Sequence, residues 1–161
     1  MPYLTAVVSI FAPVLAAVGL LIAYRQWRTA QNKLKLDLFE KRLLVYEAVD
    51  KFISSQMRKH GDKTQIEQEF HEALRSARWL YGKLIVDFCR NKVWLLASDL
   101  QDLWDEVDVC NREAEATDDN QEVLERRAVA IGKIVEIKKS LMLKRREWED
   151  LVAPYMSLQV K

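Results

Sequence analysis

From Tyr3 to Tyr24 the chain reads YLTAVVSIFAPVLAAVGLLIAY without a charge, and Arg25 and Arg28 follow at once. As a helix rising about 1.5 Å per residue, this run is about 33 Å long, enough to cross a hydrocarbon layer of roughly 30 Å. Its first charge lies after the apolar run, whereas a cleavable signal carries its basic residue before a shorter apolar core. The pattern therefore predicts a transmembrane anchor over residues 1–25. Tyr3 at one end, with Tyr24 and Trp27 at the other, suits the two membrane interfaces. Arg25, Arg28, Lys33 and Lys35 place the following residues on the cytoplasmic side, with a short periplasmic N-terminus, in a bacterial inner membrane. A buried core helix is the alternative, but a chain of this size has little mass with which to wrap it.

Beyond the run, apolar positions recur at three- and four-residue steps, the period of a helix with one buried face. Residues 26–57 read as a helical extension with Leu34, Leu38, Val45, Val49, Phe52 and Ile53 on its apolar face. Lys59-His60-Gly61-Asp62 reads as a stop and turn, with Gly61 beyond the helix end and Asp62 or Thr64 capping the next helix. That helix packs through Ile66, Phe70, Ala73, Ala77 and Leu80 and is broken or tightened at Gly82. Residues 83–115 form another helix, interrupted near Cys89-Arg90-Asn91, and Asp118-Asp119-Asn120 marks a loop. The last helix, residues 123–151, carries Val129, Ile131, Ile134, Ile137, Leu141, Leu143 and Trp148 and closes at Pro154. The fold class expected is all-α: a transmembrane helix continuing into one cytoplasmic antiparallel helical bundle, residues 26–161.

Within the apolar run, Thr5, Ser9, Ala12, Ala16, Gly19 and Ala23 share one slowly drifting face. Small faces let helices approach closely in lipid, so these residues are candidates for homo-oligomerisation or, in a ring, for lining a narrow uncharged passage. No ionisable residue lies in the run, which argues against a proton relay or a charge-selective filter there.

Charge alters this picture little, since 25 basic and 24 acidic residues leave a formal charge of +1 and no general reason to expect direct nucleic-acid binding. Candidate chemistry is equally sparse. Two cysteines, Cys89 and Cys110, make neither a disulfide framework nor a zinc site, and His60 and His71 lie in no metal-binding motif. Glu67, Glu69, Glu72 and His71 could decorate one helix, a grouping too common to diagnose a metal. Phosphate-loop and dinucleotide glycine motifs are absent, and neither histidine follows an arginine at the spacing of the small helical ribonucleases. No catalytic, cofactor-binding or metal residue is assigned, and the chain is expected not to be an enzyme.

Asn32–Val49, NKLKLDLFEKRLLVYEAV, resembles a juxtamembrane block of small bacterial single-pass membrane-anchored helical proteins. Ala77–Gly82 and Ala153–Leu158 resemble further blocks of that group. In size and layout the chain more distantly resembles the membrane accessory protein of RNA-guided (CRISPR) bacterial defence systems, a likeness that implies self-assembly and membrane damage during phage defence. The function expected is a homo-oligomeric pore or membrane-perturbing accessory protein of antiphage defence, with membrane lipid and a defence effector protein as partners. The alternative is a non-conducting anchor or scaffold that recruits a cytoplasmic partner.

Overall fold

The computed structural model describes residues 2–58, 63–116 and 121–157, and the side chains from residue 15 onward. These residues form α1 (Pro2–Gln56), α2 (Thr64–Leu80), α3 (Lys83–Phe88), α4 (Leu95–Ala116) and α5 (Gln121–Val152), with a short 3-10 turn at Ala153–Tyr155. A π-helical segment, Cys89–Trp94, joins α3 to α4 without a break. The described residues thus make four helical rods. The chain divides into two units, Met1–Glu40 and Lys41–Lys161.

In the second unit each rod turns an apolar stripe to a shared core. Val45, Val49, Phe52 and Ile53 come from α1, Phe70, Ala73, Leu74 and Ala77 from α2, and Ala130, Ile134, Leu141 and Trp148 from α5. The third rod adds Ile85, Phe88, Cys89, Val93, Ala97, Leu100 and Val107. Burying a large apolar side chain contributes about 1.5–3 kcal/mol, so the stripes outweigh any helical propensity. Phe52 of α1 stacks on Phe70 of α2 with ring centroids 4.1 Å apart.

Polar contacts fix the directions of the rods. Lys51 meets Glu69 at 2.6 Å while Arg42 Nε donates to the Leu80 carbonyl at 3.3 Å, so α1 and α2 run antiparallel. Arg145 forks onto Asp50 at 2.6 and 3.0 Å, and Lys138 donates to the Met57 carbonyl, which sets α5 antiparallel to α1. Glu113–Arg126 and Lys92–Glu147 do the same for the third rod, α4 with the π-helical segment before it, and α5. The 3-10 turn is pinned by Arg42 Nη1, which donates to the Tyr155 carbonyl at 3.0 Å. Tyr81 completes this clasp by donating its hydroxyl to the Arg42 carbonyl at 2.8 Å.

Gly82 makes the turn between α2 and α3. Its φ of +95° is a conformation that side-chain-bearing residues rarely adopt, and it lets the chain reverse after one residue beyond Tyr81. The start of α2 is simpler: Lys63 precedes it with no side-chain cap. The expected turn at Lys59-His60-Gly61-Asp62, its Asp62 cap and the Asp118-Asp119-Asn120 loop lie outside the described residues.

The transmembrane expectation is overturned. Among the described residues no helix is long and apolar enough to cross a membrane. With side chains described from Leu15, the apolar stretch ends at Tyr24 and meets Arg25, Arg28, Lys33, Lys35 and Asp37 in quick succession. Those residues from Leu15 to Tyr24 cover roughly 15 Å of helix, half of what a hydrocarbon core requires. Tyr3 and the other side chains up to Val14 lie outside the described residues. The corrections extend to the transmembrane anchor over residues 1–25, the inner-membrane location with a periplasmic N-terminus and the lipid partnership. They extend equally to the pore, the membrane-perturbing role and the membrane-anchored scaffold. A homo-oligomer and a defence effector, which rest on the same span, lose that support.

Candidate anion-binding cleft

An opening in the second unit lies between α2 and the third rod, on either side of the Gly82 turn. It has a volume of about 890 Å³. Helical spacing assembles its walls. On α2, His71, Arg75 and Arg78 follow at steps of four and three, with Trp79 four beyond Arg75, on the side of the helix away from the buried Phe70–Ala73–Ala77 stripe. On the other wall Lys83, Asp87 and Arg90 follow the same rule along one face. Trp94 comes from the π-helical segment, as does Arg90. Single-turn π distortions inside α-helices occur frequently at functional sites.

The cleft is strongly basic, as is a smaller groove of about 480 Å³ where Lys138, Lys139 and Arg146 stand beside Met142 and Leu143. Arg75, Arg78, Lys83 and Arg90 face a single lining carboxylate, Asp87. Among the described residues none of these four cations forms an ion pair or a hydrogen bond. Elsewhere Lys51, Lys92, Arg126, Lys144 and Arg145 each hold a carboxylate. Arg75 and Arg78, one turn apart on the same helix face, repel one another by a few tenths of a kcal/mol, a cost that an anionic ligand would convert into attraction.

Aromatic surfaces stand at both sides of the cleft. Trp79 is 86% exposed, the highest value among the large apolar side chains described. Trp94 is half-buried, stacked against Phe52 at 5.8 Å and Phe70 at 6.1 Å. His71 lies 4.5 Å from it at 59°. Behind this wall Cys89 is fully buried, and burial pushes its thiol up to about 12. A thiol so disposed stays protonated near neutrality and is a poor nucleophile.

A second, more open groove of about 740 Å³ runs between α1 and α2, with Leu44, Ala48 and Trp79 among its apolar lining. The Lys51–Glu69 pair belongs to this groove. Its hydrogen bond from Lys51 holds the Glu69 carboxyl below the ordinary carboxylate range. With Lys41, Glu47 and Glu72 also present, its charge is mixed, and it selects no ligand sign.

Among the described residues, none of those singled out from the apolar run lines either opening. Ala16, Gly19 and Ala23 are exposed on α1, and a methyl group added at Gly19 would meet nothing within 4 Å. Arg25, Trp27, Arg28, Lys33 and Lys35 are exposed as well, with Trp27 lying 6.1 Å from Tyr24. The side chains of Thr5, Ser9 and Ala12, like His60, lie outside the described residues. Among those described, no three His, Cys, Asp or Glu side chains are grouped to hold a metal ion.

The cleft residues escape a reading by net charge because +1 averages over the whole chain. The available signal was local: Arg75, Arg78 and Trp79 share the polar face of α2, and Lys83 and Arg90 share that of the next helix. No protein-family model, characterised protein or solved structure matches the chain. The expected membership among single-pass membrane-anchored proteins, and the more distant likeness to a defence-system membrane accessory protein, are corrected by the lack of a membrane-crossing helix among the described residues.

Proposed function

We propose that residues 41–161 are a binding module for phosphate-bearing ligands, with no chemistry of its own on what it binds. One observation carries this reading: four cations without protein partners line one cleft in a chain that is otherwise nearly neutral. Three of them are arginines, whose planar forks match phosphate oxygens two at a time and hold a fixed charge at any physiological pH. The cations are carried on helices, so binding need not order a loop.

Inorganic tripolyphosphate tests the proposal by isothermal titration at low salt. Binding should saturate at one site per chain and weaken as salt rises. Arg75→Gln with Arg78→Gln should lose most of the affinity, whereas Lys133→Gln with Lys139→Gln on α5 should retain it. No saturable binding at low salt, or equal losses in the two double variants, would refute the proposal.

A further inference from the structure

We infer that the ligand of this cleft is single-stranded nucleic acid, its phosphates on the arginines and its bases on the tryptophans; the inference rests on the phosphate-binding reading. Phosphate alone accounts for the cations but not for Trp79. An indole 86% exposed, sharing a cleft with Arg75, Arg78, Lys83 and Arg90, is an open π-surface placed where a ligand's backbone would be held. Trp94 presents a second aromatic surface, kept in place from behind by the Phe52 and Phe70 rings and flanked by His71. Basic grooves that track a backbone, combined with side chains on which bases stack, are how proteins hold single strands without reading sequence.

Other phosphate ligands fit less well. In a duplex the bases are already stacked on one another and closed to an indole, so only the cations would be used. A free inorganic phosphate satisfies one or two forks and leaves both tryptophans idle. An acidic peptide would match the charges but supplies no flat π-face. Four cations suit a stretch of roughly four nucleotides, and for a single strand the affinity then falls with a salt slope near −0.7 per phosphate, or roughly 50-fold between about 50 and about 200 mM.

The test compares four probes on the full chain by fluorescence anisotropy and competition: a short oligothymidylate, a duplex of equal length, tripolyphosphate and an oligoglutamate peptide. The single strand should bind tightest, quench tryptophan emission and show the salt dependence above. Trp79→Ala, at a side chain too exposed to support the core, should weaken the oligothymidylate roughly tenfold, within the range reported for losing one stacked base, and leave tripolyphosphate unchanged. Arg75→Gln with Arg78→Gln should weaken both. Equal affinity for duplex and single strand, tighter binding of the peptide, or an oligothymidylate affinity indifferent to Trp79→Ala would overturn the inference while tripolyphosphate binding left the phosphate site standing. Failure of every polyanion to bind would overturn both.

Discussion

Replacing Trp148 by phenylalanine and, separately, by alanine should have very different costs. Trp148 is fully buried on α5, with Tyr46 at 6.2 Å and Phe88 at 6.4 Å stacked nearly parallel to it, and Tyr81 edge-on at 6.4 Å. Its indole Nε1 is buried without a hydrogen-bond partner. Truncation to alanine empties the centre of this aromatic group and should cost about 3–5 kcal/mol, a large part of a domain's ordinary 5–15 kcal/mol. Phenylalanine keeps the six-membered ring and opens a space of roughly 40 Å³, worth about 1 kcal/mol at the usual cost of cavity volume. The same change removes an unpaired buried donor whose desolvation costs about 1–3 kcal/mol. The two effects offset, so Trp148→Phe should lie within about 1 kcal/mol of the native chain. Urea unfolding followed by far-ultraviolet circular dichroism measures both variants without relying on tryptophan emission. Equal destabilisation by Phe and Ala would refute the reasoning, because it would mean that the indole N–H makes a favourable bond.

Asp50→Asn should cost about 1 kcal/mol in chemical denaturation, because it ends the forked bond from the half-buried Arg145; a double-mutant cycle with Arg145→Gln should return a coupling of the same size. Gly82→Ala should cost about 1–2 kcal/mol through its φ of +95° alone, since the added methyl meets nothing within 4 Å; a loss below the precision of urea titration would argue against a strained turn. Burial holds Cys89 at about 12, above its unfolded value, and Tyr81 at about 12, above its own. The stability they contribute is therefore complete below the unfolded values of about 8.5 and about 10 and is lost as pH rises toward 12. Cys89→Ala with Tyr81→Phe should flatten that alkaline decline in pH-dependent thermal melts, and an unchanged slope would assign the decline to other groups.

Periodicity locates much of the later fold because a helix's buried face repeats in sequence. Val45, Val49, Phe52, Phe70, Ala73, Ala77, Ile134, Leu141 and Trp148 occupy the core at the spacing their positions imply. The same pattern fails where an apolar residue faces no neighbour: Leu34 is 64% exposed, and Val129, Ile131 and Leu143 also lie on the surface. Periodicity says which residues share a face, not which faces meet. The cleft was hidden for a related reason, since its two basic walls belong to different helices and converge only through the turn at Gly82. The apolar N-terminal run is a different case: its length, flanking basic residues and terminal aromatics all match a span, whereas among the described residues no helix is long and apolar enough to cross a membrane.

The π-helical segment has a consequence for the phase of the third rod. Cys89, Val93 and Ala97 are all buried at successive steps of four, a rhythm that an α-helix, turning once in 3.6 residues, carries progressively off the core. The wider π turn, closing at i→i+5, slows that rotation and holds the three side chains on one line. The flank beside that row delivers Arg90 and Trp94 to the cleft, while Lys92 is turned toward Glu147 of α5. A helix one residue shorter here would have to give up either the alignment of its buried row or the bearing of its cleft residues. The extra residue thus works as a phase corrector, allowing a single rod to serve an interior and a binding surface whose natural periods do not agree.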